Sequence, residues 1–333
     1  MSTIFLLIYV DDILITGNNS LAISDLLQKL HTKFAMKHLG QAHSFLGIQI
    51  TSRPNQYFLS QPQYANSILQ IANMTSSNSL ANPTCTKLPQ NLVEDPILSD
   101  RNTYRKITGS LQYLTITRPD ISYSVNILSQ HMHNLMPPHI YLLKRLLRYI
   151  HGMQYFGIPF SDANWARDLV SRKSTSGFCS FLGTTLISRT VKKQHTVARS
   201  STESEYRALA AATADLIWLL RILADFQVPL DKPTDLYCDN TSYIALANNL
   251  VYHARKKQIE IDHRFIRDHI QNKNIRLLPL STIDQITDIF TKPLSTPRFL
   301  QLRLKLTVAE DPSVCGDILE HQNSKTQNQE GHV

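Results

Sequence analysis

The chain has 333 residues, 34 Lys or Arg against 26 Asp or Glu, for a formal net charge of +8 and a pI near 9.3. A hydrophobic fraction of 42% supports real cores and excludes wholesale disorder, and only 10 glycines exclude a collagen-like chain. At roughly 100–200 residues per domain the length fits two or three domains, and the positive balance invites a polyanionic partner without naming one.

The apolar run Ile4 to Val10 is too short to span a bilayer and lacks a basic leader and cleavage site, so it reads as a strand. No membrane partner is expected, and the compartment stays open. Cys85, Cys179, Cys238 and Cys315 lie far apart without a C-x-x-C pair, which argues against a zinc site or a disulfide framework.

Residues 3–16 read as a hairpin with Asp11 and Asp12 at its tip, and 21–35 as a helix with Leu21, Leu26, Leu27, Leu30 and Phe34 on one stripe. A strand pair follows at 44–50 and 56–60, then a polar connector over 72–102. Helices are predicted at 103–117, at 119–133 opening with Pro119, and at 138–151. The last turns Leu142, Leu143, Leu146, Leu147 and Ile150 inward and places Lys144, Arg145 and Arg148 elsewhere, where a solvated basic face is the plain structural explanation.

Beyond Pro159 the pattern becomes a hairpin at 176–190, a long helix at 201–226, a strand at 235–239, helices at 241–249 and 258–271, a strand at 275–280 and a helix at 283–291. Alternating strands and helices predict an α/β (α+β) sheet domain. Four acids stand out within it. Asp162 follows the β-like run I-P-F-S. Asp239 ends the apolar run Leu236-Tyr237-Cys238, at a strand's carboxyl end where ligands collect. Asp288 lies between Ile286 and Ile289. Glu205 extends by one turn the stripe Ala208, Leu209, Ala212, Leu216, Leu219, Leu220 and Leu223. Glu203 falls off that face and completes Ser200-x-x-Glu203, a capping-box pattern.

Singly, each acid has a structural explanation as a cap or a first-turn charge. Together they would repel unless cations neutralise them. Hard divalent ions prefer such oxygen ligands, and a pair of them can activate water against a phosphodiester.

The strings YVDDILITG (9–17), FLGIQI (45–50), YRKITGSLQYLTITRPDI (104–121), KSTSGFCSFLG (173–183), RSSTESEYRALA (199–210), LYCDN (236–240), IEIDHRFIRD (259–268) and DIFTKPL (288–294) resemble the Pol polyprotein of Ty1/copia-type retrotransposons. The similarity runs from the end of the reverse transcriptase through its ribonuclease H domain. It implies the C-terminal part of a polymerase palm at 1–71, the connector at 72–102, a helical thumb or connection at 103–159, a ribonuclease H-like domain with a mixed five-stranded sheet and flanking helices at 160–292, and a loose tail at 293–333.

By the same resemblance Asp11 and Asp12 match the polymerase's metal-binding pair, and Leu46 and Gly47 fall in a primer-grip-like turn. Asp162, Glu205, Asp239 and Asp288 match the nuclease acids, with Mg²⁺ or Mn²⁺ as cofactor. The implied partners are an RNA–DNA hybrid, read by shape and 2′-OH, and other Pol fragments. Lys192, Lys193, Arg255, Lys256 and Lys257 are candidates for backbone phosphate contact, with ordinary solvated charges as the alternative.

Several residues depart from the pattern. Asp11 stands almost at the start of the chain without a third upstream aspartate, so polymerisation by this chain alone is not expected. Gly157 and Pro159 precede Asp162 in a short run, which predicts a truncated first strand. Arg167 and Arg189 replace an expected glycine and tryptophan, and Gln258 and Arg264 stand where histidines are usual. The resulting expectations are metal-dependent hybrid cleavage or, alternatively, an inactive nucleic-acid-binding remnant.

Overall fold

The computed structural model describes residues 2–53, 56–90, 92, 95–161, 175–194, 201–228, 232–239, 241–248 and 257–311. It is a mixed α and β structure. Two β-rich runs, β1 (Ile4–Tyr9) and β2 (Asp12–Gly17), pair antiparallel with Tyr9 opposite Asp12. Helix α1 (Ser20–Lys33) follows, capped by Asn19, whose side chain accepts from the amides of Leu21 and Ala22 at 3.1 and 3.2 Å. The predicted stripe on α1 is only partly covered, with Leu26, Leu27 and Leu30 half-buried but Leu21 80% and Phe34 58% exposed, and no described residue before Phe58 is buried.

Strands β3 (Ser44–Phe45), β4 (Ile48–Arg53) and β5 (Gln56–Ser60) form a meander. Helix α2 (Pro62–Ile71) begins with proline at its first turn and buries Ala65, Ile68 and Leu69. Sequence reasoning does not predict it, because its apolar residues span barely two turns beside a strand.

The 72–102 connector is a fastened strap. Lys144 pairs with Asp95 at 2.5 Å, Arg145 Nε donates to the Thr84 carbonyl at 2.7 Å, and Arg148 Nε donates to that of Asn78 at 2.7 Å. All three belong to α5 (Pro137–His151), so its basic face is a contact surface. Before it lie α3 (Arg101–Leu114), a 3₁₀ turn (Pro119–Ile121) and α4 (Ser122–Ser129). The amphipathic spacing of α5 puts Leu143, Leu146, Leu147 and Ile150 at the centre of the larger core.

Strand β6 (Phe156–Ser161) pairs antiparallel with β5, bringing Ile158 opposite Leu59. A Cβ on Gly157 would sit 2.2 Å from the Leu59 carbonyl oxygen, so only glycine allows this approach. Hairpin β7 (Thr175–Leu182) and β8 (Thr185–Lys193) precedes α6 (Ser201–Asp225). Then come β9 (Thr234–Cys238), α7 (Thr241–Asn248), α8 (Lys257–Gln271) and β10 (Ile275–Pro279), with β10 parallel to β9. A 3₁₀ turn (Thr282–Asp284), α9 (Asp288–Thr291), α10 (Thr296–Lys305) and β11 (Ala309–Glu310) end the described chain.

Three expectations need correction. The five-stranded sheet is antiparallel, in the order β11-β6-β5-β4-β3, whereas the described part of 160–292 forms two separate ladders, β7–β8 and β9–β10. The strand before Asp162 therefore spends its hydrogen bonds on β5. One core crosses the boundary expected at 159/160, joining α2 to α5 with Cys179, Phe181, Leu186 and Phe290. The first part of the expected tail is packed: Phe299, Leu302, Leu306 and Val308 are buried, and β11 pairs with β6. Residues 312–333 lie outside the described residues. Pro159 is accommodated because β11 reaches only Phe156 and Gly157, leaving that side of β6 without a ladder partner among the described residues.

Candidate active site

Parallel strands end on the same side of a sheet, and here that side gathers acids. Asp239 directly follows β9, whose ladder is extended by the Leu280 amide donating to the Cys238 carbonyl at 2.9 Å. Beyond β10 the chain turns through Thr282–Asp284 and opens α9 with Asp288. Helix α9 can lie against β7 because Gly177 leaves room: a Cβ there would meet Thr291 Cγ2 at 2.7 Å and Phe290 Cβ at 2.9 Å.

Asp239 is half-buried and Asp288 buried. Burial raises the Asp239 carboxyl above its ordinary pKa, and the Asp288 charge pushes the same way. Its own backbone amide, the nearby side-chain amide of the wholly buried Gln285, and the Lys292 charge oppose the rise, although Gln285 Nε2 makes no hydrogen bond among the described residues. Gln285 Oε1 accepts from Thr287 Oγ1 at 3.0 Å, which orients the amide. Asp288 faces cations on both oxygens. Lys292 Nζ lies 2.5 Å from Oδ1, and Arg298 Nη2 lies 3.7 Å from Oδ2.

Asp239 and Asp288 thus lie within electrostatic reach of one another. Glu205 lies in the first turns of α6, whose Ala208, Leu209, Ala212, Leu216, Leu219 and Leu223 are buried as the stripe predicts. The Glu205 side chain and all of Asp162 lie outside the described residues. Among the described residues no group of three or more His, Cys, Asp or Glu could hold a metal. The two described carboxylates offer only hard oxygen donors, which suit Mg²⁺ or Mn²⁺, although Lys292 already occupies one of them.

Sequence reasoning passes over Gln285 and Lys292. The i,i+4 spacing of Asp288 and Lys292 in D-I-F-T-K is the signal that could have found the lysine. Lys192 and Lys193 end β8 exposed, and Lys193 Nζ donates to Gln130 Oε1 at 2.7 Å. Arg255, Lys256 and the Lys257 side chain lie outside the described residues. His131 and His139 stack face to face at 3.8 Å, and His139 Nδ1 accepts from the Met136 amide, so the two rings do not converge on a common ligand position.

At the other end of the chain, Asp11 and Asp12 are exposed on the β1–β2 tip. Val10 in that two-residue turn has φ +50°, an unusual value for a β-branched residue. Leu46 and Gly47 form the β3–β4 turn at φ +51° and +72°. The Tyr113 hydroxyl donates to the Leu46 carbonyl, and the Tyr64 and Tyr113 rings meet edge to face at 5.4 Å. Burial raises the Tyr113 pKa, followed by Tyr64 and Tyr9. Tyr113 on α3 therefore sits between the turn at Leu46 and the strand end at Tyr9.

Residues 1–86 match the family model described as reverse transcriptase (RNA-dependent DNA polymerase). The retrovirus-related Pol polyprotein from transposon RE2 of Arabidopsis thaliana is 40% identical over 329 residues, covering 96% of this chain and 23% of that protein. A mitochondrial protein of Arabidopsis thaliana is 46% identical over 225 residues, covering 64% of this chain and 93% of its own length. The foamy viral protease-reverse transcriptase, solved in complex with double-stranded DNA, superposes with a TM-score of 0.46 at 12% identity, covering 83% of this chain and 46% of that one. The chain spans about a quarter of the length of the Pol polyprotein it matches. No helix among the described residues is long and apolar enough to cross a membrane.

Proposed function

The chain belongs to the Pol polyproteins of copia-type retrotransposons and carries their reverse-transcriptase sequence, and from that premise we propose that its second half cleaves the RNA strand of an RNA–DNA hybrid. The observation that carries this reading is the placing of Asp239 and Asp288 just beyond the carboxyl ends of the parallel β9–β10 pair, within electrostatic reach of one another. In this reading Asp162 and Glu205 complete the set that would hold Mg²⁺ or Mn²⁺. The bound ions would supply an activated water and stabilise the leaving oxygen.

The chain's own residues prepare the site. Asp239 and Asp288 supply the negative charge, and Arg298 ties the 282–288 loop by donating to the Ile283 carbonyl at 2.6 Å. Lys192 and Lys193 provide an exposed cationic edge for backbone phosphates. Asp11 and Asp12 keep the shape of a polymerase hairpin. One tip with two carboxylates is too small a ligand set for a pair of ions, so primer extension by this chain alone is not part of the reading. Other Pol segments are the partners it implies for the exposed Leu21 and Phe34 at the two ends of α1.

The test is incubation of purified protein with end-labelled RNA–DNA hybrid and Mg²⁺ or Mn²⁺, beside Asp239→Asn. Cleavage by the parent and loss of at least about 100-fold in the variant is the expected result. Equal cleavage by both would remove Asp239 from the site. A second reading, hybrid binding without cleavage, is favoured by the β5–β6 pairing, which commits the strand before Asp162 to another sheet. Salt-sensitive hybrid retention with no cleavage under either ion would support it.

A further inference from the structure

We propose that Lys292 is a built-in counter-ion of Asp288, a positioning residue that holds this carboxylate and that a divalent cation has to displace. The proposal rests on the nuclease reading and adds a regulatory residue that this reading does not require. Two neighbouring carboxylates drawn out of water need neutralising. Asp288 is 7% exposed, and its two oxygens meet two cations of different character. Arg298 is tied down, donating to the Ile283 carbonyl at 2.6 Å, the Thr282 carbonyl at 3.3 Å and Gln301 Oε1 at 2.9 Å, and it stands 3.7 Å from Oδ2. Lys292 is the nearer partner at 2.5 Å, and its attraction reaches Asp239 as well.

Lys292 is also the movable one. It caps the carboxyl end of the four-residue α9, and its side chain is 46% exposed. A lysine ammonium is a compact charge on a flexible stem, free to rotate into water once a stronger cation takes the oxygen. A guanidinium held by two carbonyls cannot make that exchange without breaking the loop. The arrangement keeps the acids aligned before loading and sets a threshold of cation concentration for it.

The experiment is calorimetric titration of the full chain with Mn²⁺, together with its thermal unfolding with and without the ion. Lys292→Gln is compared with Lys292→Arg and with Lys305→Gln. Lys305 pairs with Asp284 at 2.6 Å, so its loss removes the same charge without touching Asp288. Lys292→Gln should melt lower without metal, bind Mn²⁺ about threefold more tightly than the parent, and show a larger stabilisation by the ion. Lys292→Arg, which keeps the charge, should melt as the parent does without metal and should gain no Mn²⁺ affinity. Equal affinity in Lys292→Gln and the parent, or an equal gain in Lys305→Gln, would overturn the proposal. Asp239→Asn separates the two readings. If it abolishes binding while Lys292→Gln changes nothing, only the counter-ion role falls; if binding survives it, the nuclease site falls too.

Discussion

Replacing Asp120 by asparagine should unfold the larger core more readily than any surface change. Asp120 is 1% exposed and accepts from Arg118 Nε at 3.0 Å, from Arg118 Nη2 at 2.8 Å and from the Tyr149 hydroxyl at 2.5 Å. Arg118, equally buried, also donates to the Met153 carbonyl at 2.6 Å, while Arg303 approaches the Tyr149 hydroxyl at 3.3 Å. The 3₁₀ turn, α5 and α10 are thereby tied to one carboxylate serving two arginines. Burial by itself would raise the Asp120 carboxyl, but the Arg118 charge, the hydrogen bonds from Arg118 and Tyr149 and the Arg303 charge together outweigh it and hold the group below its usual range.

Asparagine keeps the shape but strands a fully buried guanidinium, and breaking a buried pair in this way costs about 3–5 kcal/mol. Urea unfolding at neutral pH measures the loss. Replacing both partners, Arg118→Met with Asp120→Leu, should cost less than Asp120→Asn alone, because no charge is then left uncompensated. A folded-state pKa below the unfolded one contributes stability that is complete above the unfolded value of about 4 and is lost as pH falls through the folded value. The variant should lack that acid-side loss. A cost below about 1 kcal/mol for Asp120→Asn would refute the argument.

Two further predictions concern the same core. Arg189 Nη2 donates to Thr115 Oγ1 at 2.6 Å, its Nε has no hydrogen-bond partner among the described residues, and burial pushes its guanidinium down to about 10. Arg189→Met should therefore raise stability by about 1 kcal/mol in a thermal melt, and a loss would show that the Thr115 bond outweighs desolvation. Arg148→Ala removes the bond to the Asn78 carbonyl. It should cost about 1 kcal/mol and speed limited proteolysis within 72–92, and unchanged cleavage would mean that buried Asn82 and Leu98 hold the strap without it.

Periodicity alone predicts α5, α6 and the β7–β8 hairpin to within a few residues, because long amphipathic spacing leaves one self-consistent solution. The short α2 escapes it. Asp239 is legible at the end of an apolar run, and Asp288 stands out between two isoleucines. What escapes notice is Lys292: a lysine four residues after an aspartate is common on helices, and only burial of the carboxylate turns the pair into part of a site. Gln285 is similarly silent, an amide whose orientation depends on the Thr287 hydroxyl.

Read by itself, the chain of residues determines the local elements, the family and the four candidate acids, since these depend on spacings of a few residues and on strings of side chains. Partnership between strands is a different kind of fact. Whether β6 joins β5 or heads a sheet with β7 turns on which carbonyl lies against Gly157, a contact between residues about a hundred positions apart that no periodicity encodes. The tertiary structure alone decides that pairing, the closing of one core across a boundary drawn from sequence, and the ammonium that sits on Asp288.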